Sequence, residues 1–149
     1  ARAFTRSDGD LPTVYRALIA ASPSHPEPRK LRPPLDFAIA ALRMTGRPAD
    51  PGQALFVTQL LGQPIWNPPG PNGFPDTDAQ WATPDGLKVR LETAMTFARQ
   101  APGAANPLAI LDATLGSACS PATRQAVARA ESRAQGLAIL LMSPEVQRR

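Results

Sequence analysis

The stretch LAILLMSP (137–144) is apolar on every side for six residues and then meets a serine–proline pair. A helix that is greasy all round belongs in an interior. The pair that follows marks the start of another helix. A short polar side chain can accept a hydrogen bond from an orphan amide of the first turn. Proline at the first helical position loses nothing, because its missing amide would be unpaired there. The same signature recurs at Asp50-Pro51, Thr83-Pro84, Asn106-Pro107, Ser120-Pro121 and Ser143-Pro144, marking five helix starts. Gly46, Gly62 and Gly116 fall where helices should end and can take the left-handed closing conformation.

Working outward, the spacing predicts a helix from Pro121 to Met142 with Val127, Ala130, Ala134, Leu137 and Leu141 inward. One or two further turns run from Pro144 to Arg149. Upstream, a short helix spans Pro107 to Leu115. Another runs from Pro84 to about Gln100, with Leu87, Leu91, Ala94, Met95 and Ala98 expected inward and a surface Lys88–Glu92 pair. A helix over Pro51–Leu61 carries Leu55, Val57, Thr58 and Leu61. One over about Pro34–Thr45 is apolar nearly all round, with a polar stripe of Arg32, Asp36, Arg43 and Arg47. The first helix, Leu11–Ala21, is capped by Asp10 and groups Val14, Leu18 and Ala21 with Tyr15 and Ile19. A proline-rich hinge, Ser22–Arg32, follows it. No segment alternates with period two, so no sheet is expected. The expected fold is all-α: six to seven helices around one core, as one domain over residues 1–149, with a long ordered loop.

Composition narrows the functional classes. A chain of 149 residues with 43% hydrophobic and 19% charged residues is globular. The net charge of +4 raises nucleic acid as a partner. The arginines, however, are scattered from Arg2 to Arg149 without interleaved aromatics, and no nucleic-acid role is expected. No apolar run reaches the ~20 residues of a membrane helix. Cys119 is the single cysteine and His25 the single histidine, too poor a set for zinc. Cys119 reads as a quiet half-buried thiol, and His25 as solvated in the hinge. No catalytic residue, metal or cofactor is assigned, because nothing pairs a nucleophile with a base.

The loop GQPIWNPPGPNGFPD (62–76) breaks the helical pattern. Loops of this length inside a compact domain are usually functional or ordered by their own side chains. Trp66, Phe74 and Trp81 can fold down over the helices as a lid, with the indole nitrogens on carbonyl partners. Alternatively they line a groove in which Asn67, Asn72, Asp76 and Asp78 make polar contacts, a surface suited to sugars or proline-rich peptides. The candidate partner surface is therefore Trp66, Asn67, Asn72, Phe74, Asp76 and Trp81. The lid is the favoured reading, and the Arg32, Asp36, Arg43 and Arg47 stripe is taken as architectural. Asp36 and Arg43 are expected to pair with each other or to find partners elsewhere. Asp76 and Asp78 alone do not make a calcium loop.

The runs DGDLPTVYRALIAASP (8–23), KLRPPLDFAIAALRMTG (30–46), LLGQPIWNPPGPNGFPD (60–76) with Trp81, and LLMSPEVQRR (140–149) resemble the C-terminal region of a bacterial family called domain of unknown function 1800. The family pattern falls on Arg43, Gly62, Gln63, Pro64, Pro68, Pro69, Gly73, Pro75 and Trp81. Phe74 stands where the family usually has tryptophan, and Asp36 where glutamate is usual. The resemblance implies a largely helical, C-terminal piece of a longer protein, with a periplasmic or secreted location. It transfers no catalytic residue. The resulting expectation is an interaction or scaffold module of a larger exported bacterial protein, binding a protein or glycan partner or the rest of its own chain. The alternative is the C-terminal portion of an enzyme acting on carbohydrate or another polymer, whose catalytic groups lie in the N-terminal part.

Overall fold

The computed structural model describes residues 1–21, 30–47 and 50–148, and His25 and most of the hinge lie outside the described residues. The chain is all-α. In order, its helices are α1 (Arg2–Arg6), α2 (Leu11–Ala21), α3 (Pro34–Met44), α4 (Pro51–Leu60), α5 (Asp78–Trp81), α6 (Pro84–Gln100), α7 (Pro107–Thr114), α8 (Pro121–Ala128), α9 (Arg133–Met142) and α10 (Pro144–Gln147). A single 3-10 turn, Gly116–Ala118, links α7 to α8. Among the described residues, extended pairing is confined to one antiparallel bridge between Leu31 and Arg148.

The five proline-marked starts form as their sequence dictates. Asp50 accepts from the Gly52 amide, Thr83 from Gly86, Asn106 from Leu108 and Ala109, Ser120 from Thr123, and Ser143 from Val146. Asp10 likewise accepts from the Thr13 amide at 3.0 Å. Gly46, Gly62 and Gly116 close their helices at φ of +65°, +81° and +50°. Helix α3 lacks a capping side chain of its own. Its orphan Leu35 amide donates instead to Gln63 Oε1 at 2.9 Å, from the start of the long loop.

Helix α9 is the pivot of the packing. Leu141 joins Phe37, Ala38, Ala41 and Leu42 of α3, Val57 of α4 and Ala94 and Phe97 of α6. Leu137 and Ala138 pack on Ala98 and Ala101. Leu140 meets Leu111, Val127 and Val146. The LAILLM segment thus feeds three clusters, and this is why it must be apolar on every side. At Gly136 a Cβ would lie 3.1 Å from the Pro107 ring, so a larger residue would require Pro107 to shift by a few tenths of an ångström.

The structure corrects several expectations. The helix expected over Pro121–Met142 is two helices, broken between Ala128 and Arg133. Ser132 caps the second through the Gln135 amide, while Gln135 Oε1 accepts from the Glu131 amide at 2.6 Å. The serine–glutamine spacing is that of a capping box. Ala130 and Ala134 are only half-buried as a result. Helices α1 and α2 lie outside the core. Helix α2 buries none of its residues, and Tyr15, Leu18 and Ile19 are all exposed. Leu55 of α4 also points outward.

Helix α6 buries Ala94 and Ala98 as expected, with Met95 half-buried, but its first half turns a different face inward. Leu87 and Leu91 are exposed, whereas Arg90, Thr93, Ala94, Phe97 and Ala98 are buried. The cause is Arg90, which is 0% exposed. Its guanidinium donates to Gln147 Oε1 at 3.0 Å and to the Arg32 carbonyl at 2.6 Å, and lies 4.9 Å over the Phe37 ring. Gln147 in turn donates to the Leu141 carbonyl at 2.8 Å, and its own carbonyl accepts from the Arg32 amide at 2.7 Å. Burial lowers the Arg90 pKa to about 10, leaving it a cation at neutral pH.

A second long-range tie closes the C-terminus on α8. Glu145 accepts from the Ser120 amide and from the Thr123 hydroxyl, each at 2.9 Å. Burial opposes ionisation of Glu145, but these hydrogen bonds outweigh it and lower its pKa to about 2. The carboxylate therefore stabilises the fold fully above its ordinary value of 4.5, and that contribution is lost as pH falls through that value towards about 2. Urea unfolding of Glu145→Gln should show roughly 1 kcal/mol less stability at neutral pH and a flatter loss between those two pH values. Parallel pH profiles for the two proteins would contradict this.

Candidate functional site

The long loop is anchored at both ends. At its start Gln63 is committed to the α3 amide. At its end α5 is held by Asp78, which accepts from the Leu31 amide at 2.8 Å and from Arg148 Nη1 at 3.1 Å. The Leu31 amide is the main reason the Asp78 carboxyl titrates below its ordinary range, and Arg148 adds to it. Asp76 pairs with Lys30 at an exposed site. The two carboxylates therefore fasten the loop to the chain before α3 and to the C-terminus, and neither lines the groove.

Trp81 is the buried anchor, 4% exposed, with the half-buried Phe74 against it at a ring-centroid distance of 6.4 Å. The lid expectation holds for these two rings and fails for Trp66, which is 96% exposed. Among the described residues, the expected carbonyl partner for the indoles is also missing at Trp81, whose Nε1 is buried without a hydrogen bond to any of them. Sequence alone does not separate the two tryptophans, because burial here depends on where α5 docks.

Between the anchors, two turns shape the loop. The Asn67 amide donates to the Pro64 carbonyl at 3.2 Å, and the Gly73 amide to the Gly70 carbonyl at 3.0 Å. The first turn places Trp66 at its third position with φ of +64°. That conformation suits glycine or asparagine and costs a tryptophan about 1 kcal/mol or more. Beside it lies a groove of about 500 Å³ lined by Gly62, Pro64, Asn67, Pro68, Pro69, Phe74 and Gln80. Of the six residues expected to form a partner surface, Asn67 and Phe74 line this groove. Trp66 stands in solvent, Asn72 lies on the exposed second turn, and Asp76 and Trp81 serve as fasteners. Gln80 was missed, because it reaches the groove only through α5, a helix of four residues without a strong cap signal.

The polar stripe before and along α3 divides. Arg47 lies 5.1 Å over the Phe97 ring and the Arg32 main chain is tied to Gln147 and Arg90, which are architectural roles. Arg43 is exposed and forms no ion pair with another described residue, so the expected Asp36–Arg43 pair is absent; Asp36 has an interaction of its own. Lys88 and Glu92 form the expected surface pair at 4.0 Å. Cys119 is half-buried, and its Sγ donates to the Ser120 carbonyl at 3.4 Å. Among the described residues, no helix is long and apolar enough to cross a membrane.

A comparison with curated proteins and with solved structures gives no match. The model of the family described as "Protein of unknown function (DUF1800)" matches residues 1–148. With that match running over nearly its whole length, the chain belongs to the DUF1800 family.

Proposed function

We propose that this chain is an interaction module of a larger exported bacterial protein, and that the 62–81 loop is the surface it presents. The observation that carries this reading is Trp66. A large apolar ring, almost wholly in solvent, sits in a backbone conformation that disfavours it, on a loop pinned at both ends. Strain and exposure together at one aromatic residue are costs that a partner would offset.

The surroundings suit a flat partner with both apolar and polar faces. Proline rings and Phe74 supply apolar surface, and the amides of Asn67 and Gln80 supply donors and acceptors. Sugars and proline-rich peptides have this character. The proline density limits the freedom of the unbound loop, so little entropy is lost on binding. Apolar side chains left outward on α4 and α6, among them Phe56, Leu60, Leu87 and Leu91, give the rest of a parent chain a surface to pack against.

Two measurements check the premise and the function separately. In tryptophan fluorescence, Trp66→Phe should shift emission to the blue, leaving the buried Trp81, and Trp81→Phe should shift it to the red. Equal emission from the two variants would remove the premise. On arrays of oligosaccharides and proline-rich peptides, Trp66→Ala should cost roughly tenfold or more in affinity for whatever the wild type retains, a hot-spot loss of about 1.4 kcal/mol. Its helical circular dichroism should be unchanged, because the ring is exposed. Binding that survives Trp66→Ala would contradict the proposal.

A further inference from the structure

The loop groove is lined without a charged side chain. The two carboxylates of the loop's far end are engaged elsewhere, Asp76 with Lys30, and Asp78 with Arg148 and the Leu31 amide. A neutral ligand enters such a groove freely. An anion or a cation would leave water and meet no counter-charge.

The polar lining is two primary amides, Asn67 and Gln80, both exposed. Neither side chain hydrogen-bonds another described residue. Each offers a donor and an acceptor side by side. Two neighbouring hydroxyls of a sugar ring match that pair, one accepting from the NH2 and the other donating to the carbonyl. A polyproline segment matches only half of it, because it has carbonyl acceptors and no backbone N–H to donate. The apolar surface points the same way. Pro64 and Asn67 line the groove and close one turn with Trp66 between them, so the Trp66 backbone stands at the groove's rim. An indole face in solvent is a platform for the C–H face of a sugar ring. Polyproline recognition instead uses a groove lined by aromatic rings. Here Pro64, Pro68 and Pro69 are saturated rings, and Phe74 is half-buried against Trp81.

We infer that the ligand of this groove is a neutral oligosaccharide, an inference that rests on the reading of the loop as a partner surface. A sugar ring stacks on Trp66, and hydroxyls of the same chain meet Asn67 and Gln80. The prolines fix the groove before the ligand arrives.

Calorimetric titration with cellotetraose, chitotetraose, laminaritetraose and maltotetraose tests it, beside tetragalacturonate and a decaproline peptide. At least one neutral tetrasaccharide should bind saturably, and at least about tenfold more tightly than tetragalacturonate or decaproline. Its affinity should change less than about twofold between about 0.05 M and about 0.5 M salt, because no charges pair. Asn67→Ala and Gln80→Ala should each weaken it about threefold to tenfold. Saturating sugar should shift the tryptophan emission of the wild type and not that of Trp66→Phe. Circular dichroism confirms that each variant is folded. Binding of decaproline alone, lost in Trp66→Ala, would overturn the inference and leave the loop a partner surface. Equal or tighter binding of tetragalacturonate, or indifference to both amide variants, would overturn it too. Failure of every probe would also overturn it, and the reading of the loop falls with it when no array member shows binding that depends on Trp66.

Discussion

A guanidinium with no access to water and, among the described residues, no carboxylate partner ties distant parts of this fold to one another. Removing such a charge from solvent costs several kcal/mol, and only well-placed hydrogen bonds and an aromatic face can compensate. Arg90 receives both from two separate parts of the chain, the Arg32 carbonyl and Phe37 ring at the start of α3 and the Gln147 side chain near the other end, while its Nε has no hydrogen-bond partner among the described residues. None of these partners is a neighbour in sequence. The arginine therefore converts its own burial penalty into a requirement that the segment before α3, the helix α6 and the C-terminal turn meet at one point. A misfolded arrangement in which any of them is elsewhere leaves the charge underserved. This is specificity gained from a buried polar group, and it also sets which face of α6 is inside.

The loop surface depends on the same knot. Asp78 fastens α5 to Leu31 and Arg148, and these residues flank the Arg32–Gln147 contact that Arg90 completes. With α5 fixed, Trp81 is buried, Phe74 packs on it, and the chain from Pro64 to Pro75 must arch outward. Trp66 is thereby presented to solvent by a scaffold of hydrogen bonds and packed rings, with two turns setting its angle.

Local physics made much of this legible in the sequence. A capping residue before a proline acts within one turn, so the five helix starts, and the glycines that close three helices, read directly from adjacent residues. The buried character of LAILLM was equally plain, since no rotation of that helix puts a polar side chain outward. The family pattern also pointed to Gln63, although its task as a cap for α3 is visible only in three dimensions. The break at Ser132 was legible in principle through the Gln135 spacing, but a continuous apolar periodicity masked it. The face of α6 was legible only in its second half, where Ala94 and Ala98 are buried as expected. Periodicity counts leucines as inward and arginines as outward, and here Arg90 is in while Leu87 and Leu91 are out. The fates of Trp66 and Trp81 diverge for the same reason: long-range ties decide them.

The central claim is that Arg90 and Gln147 act as one unit in closing the chain, and a double-mutant cycle in urea unfolding tests it most directly. Arg90→Met, Gln147→Leu and the pair together would be compared with the wild type at neutral pH. The account predicts that each single change is destabilising and that the double variant is more stable than their sum by at least about 1 kcal/mol, because each change alone strands the other partner's buried polar group. Effects that add to within about 0.5 kcal/mol would contradict it and would place the organisation of the fold in apolar packing around α9 alone.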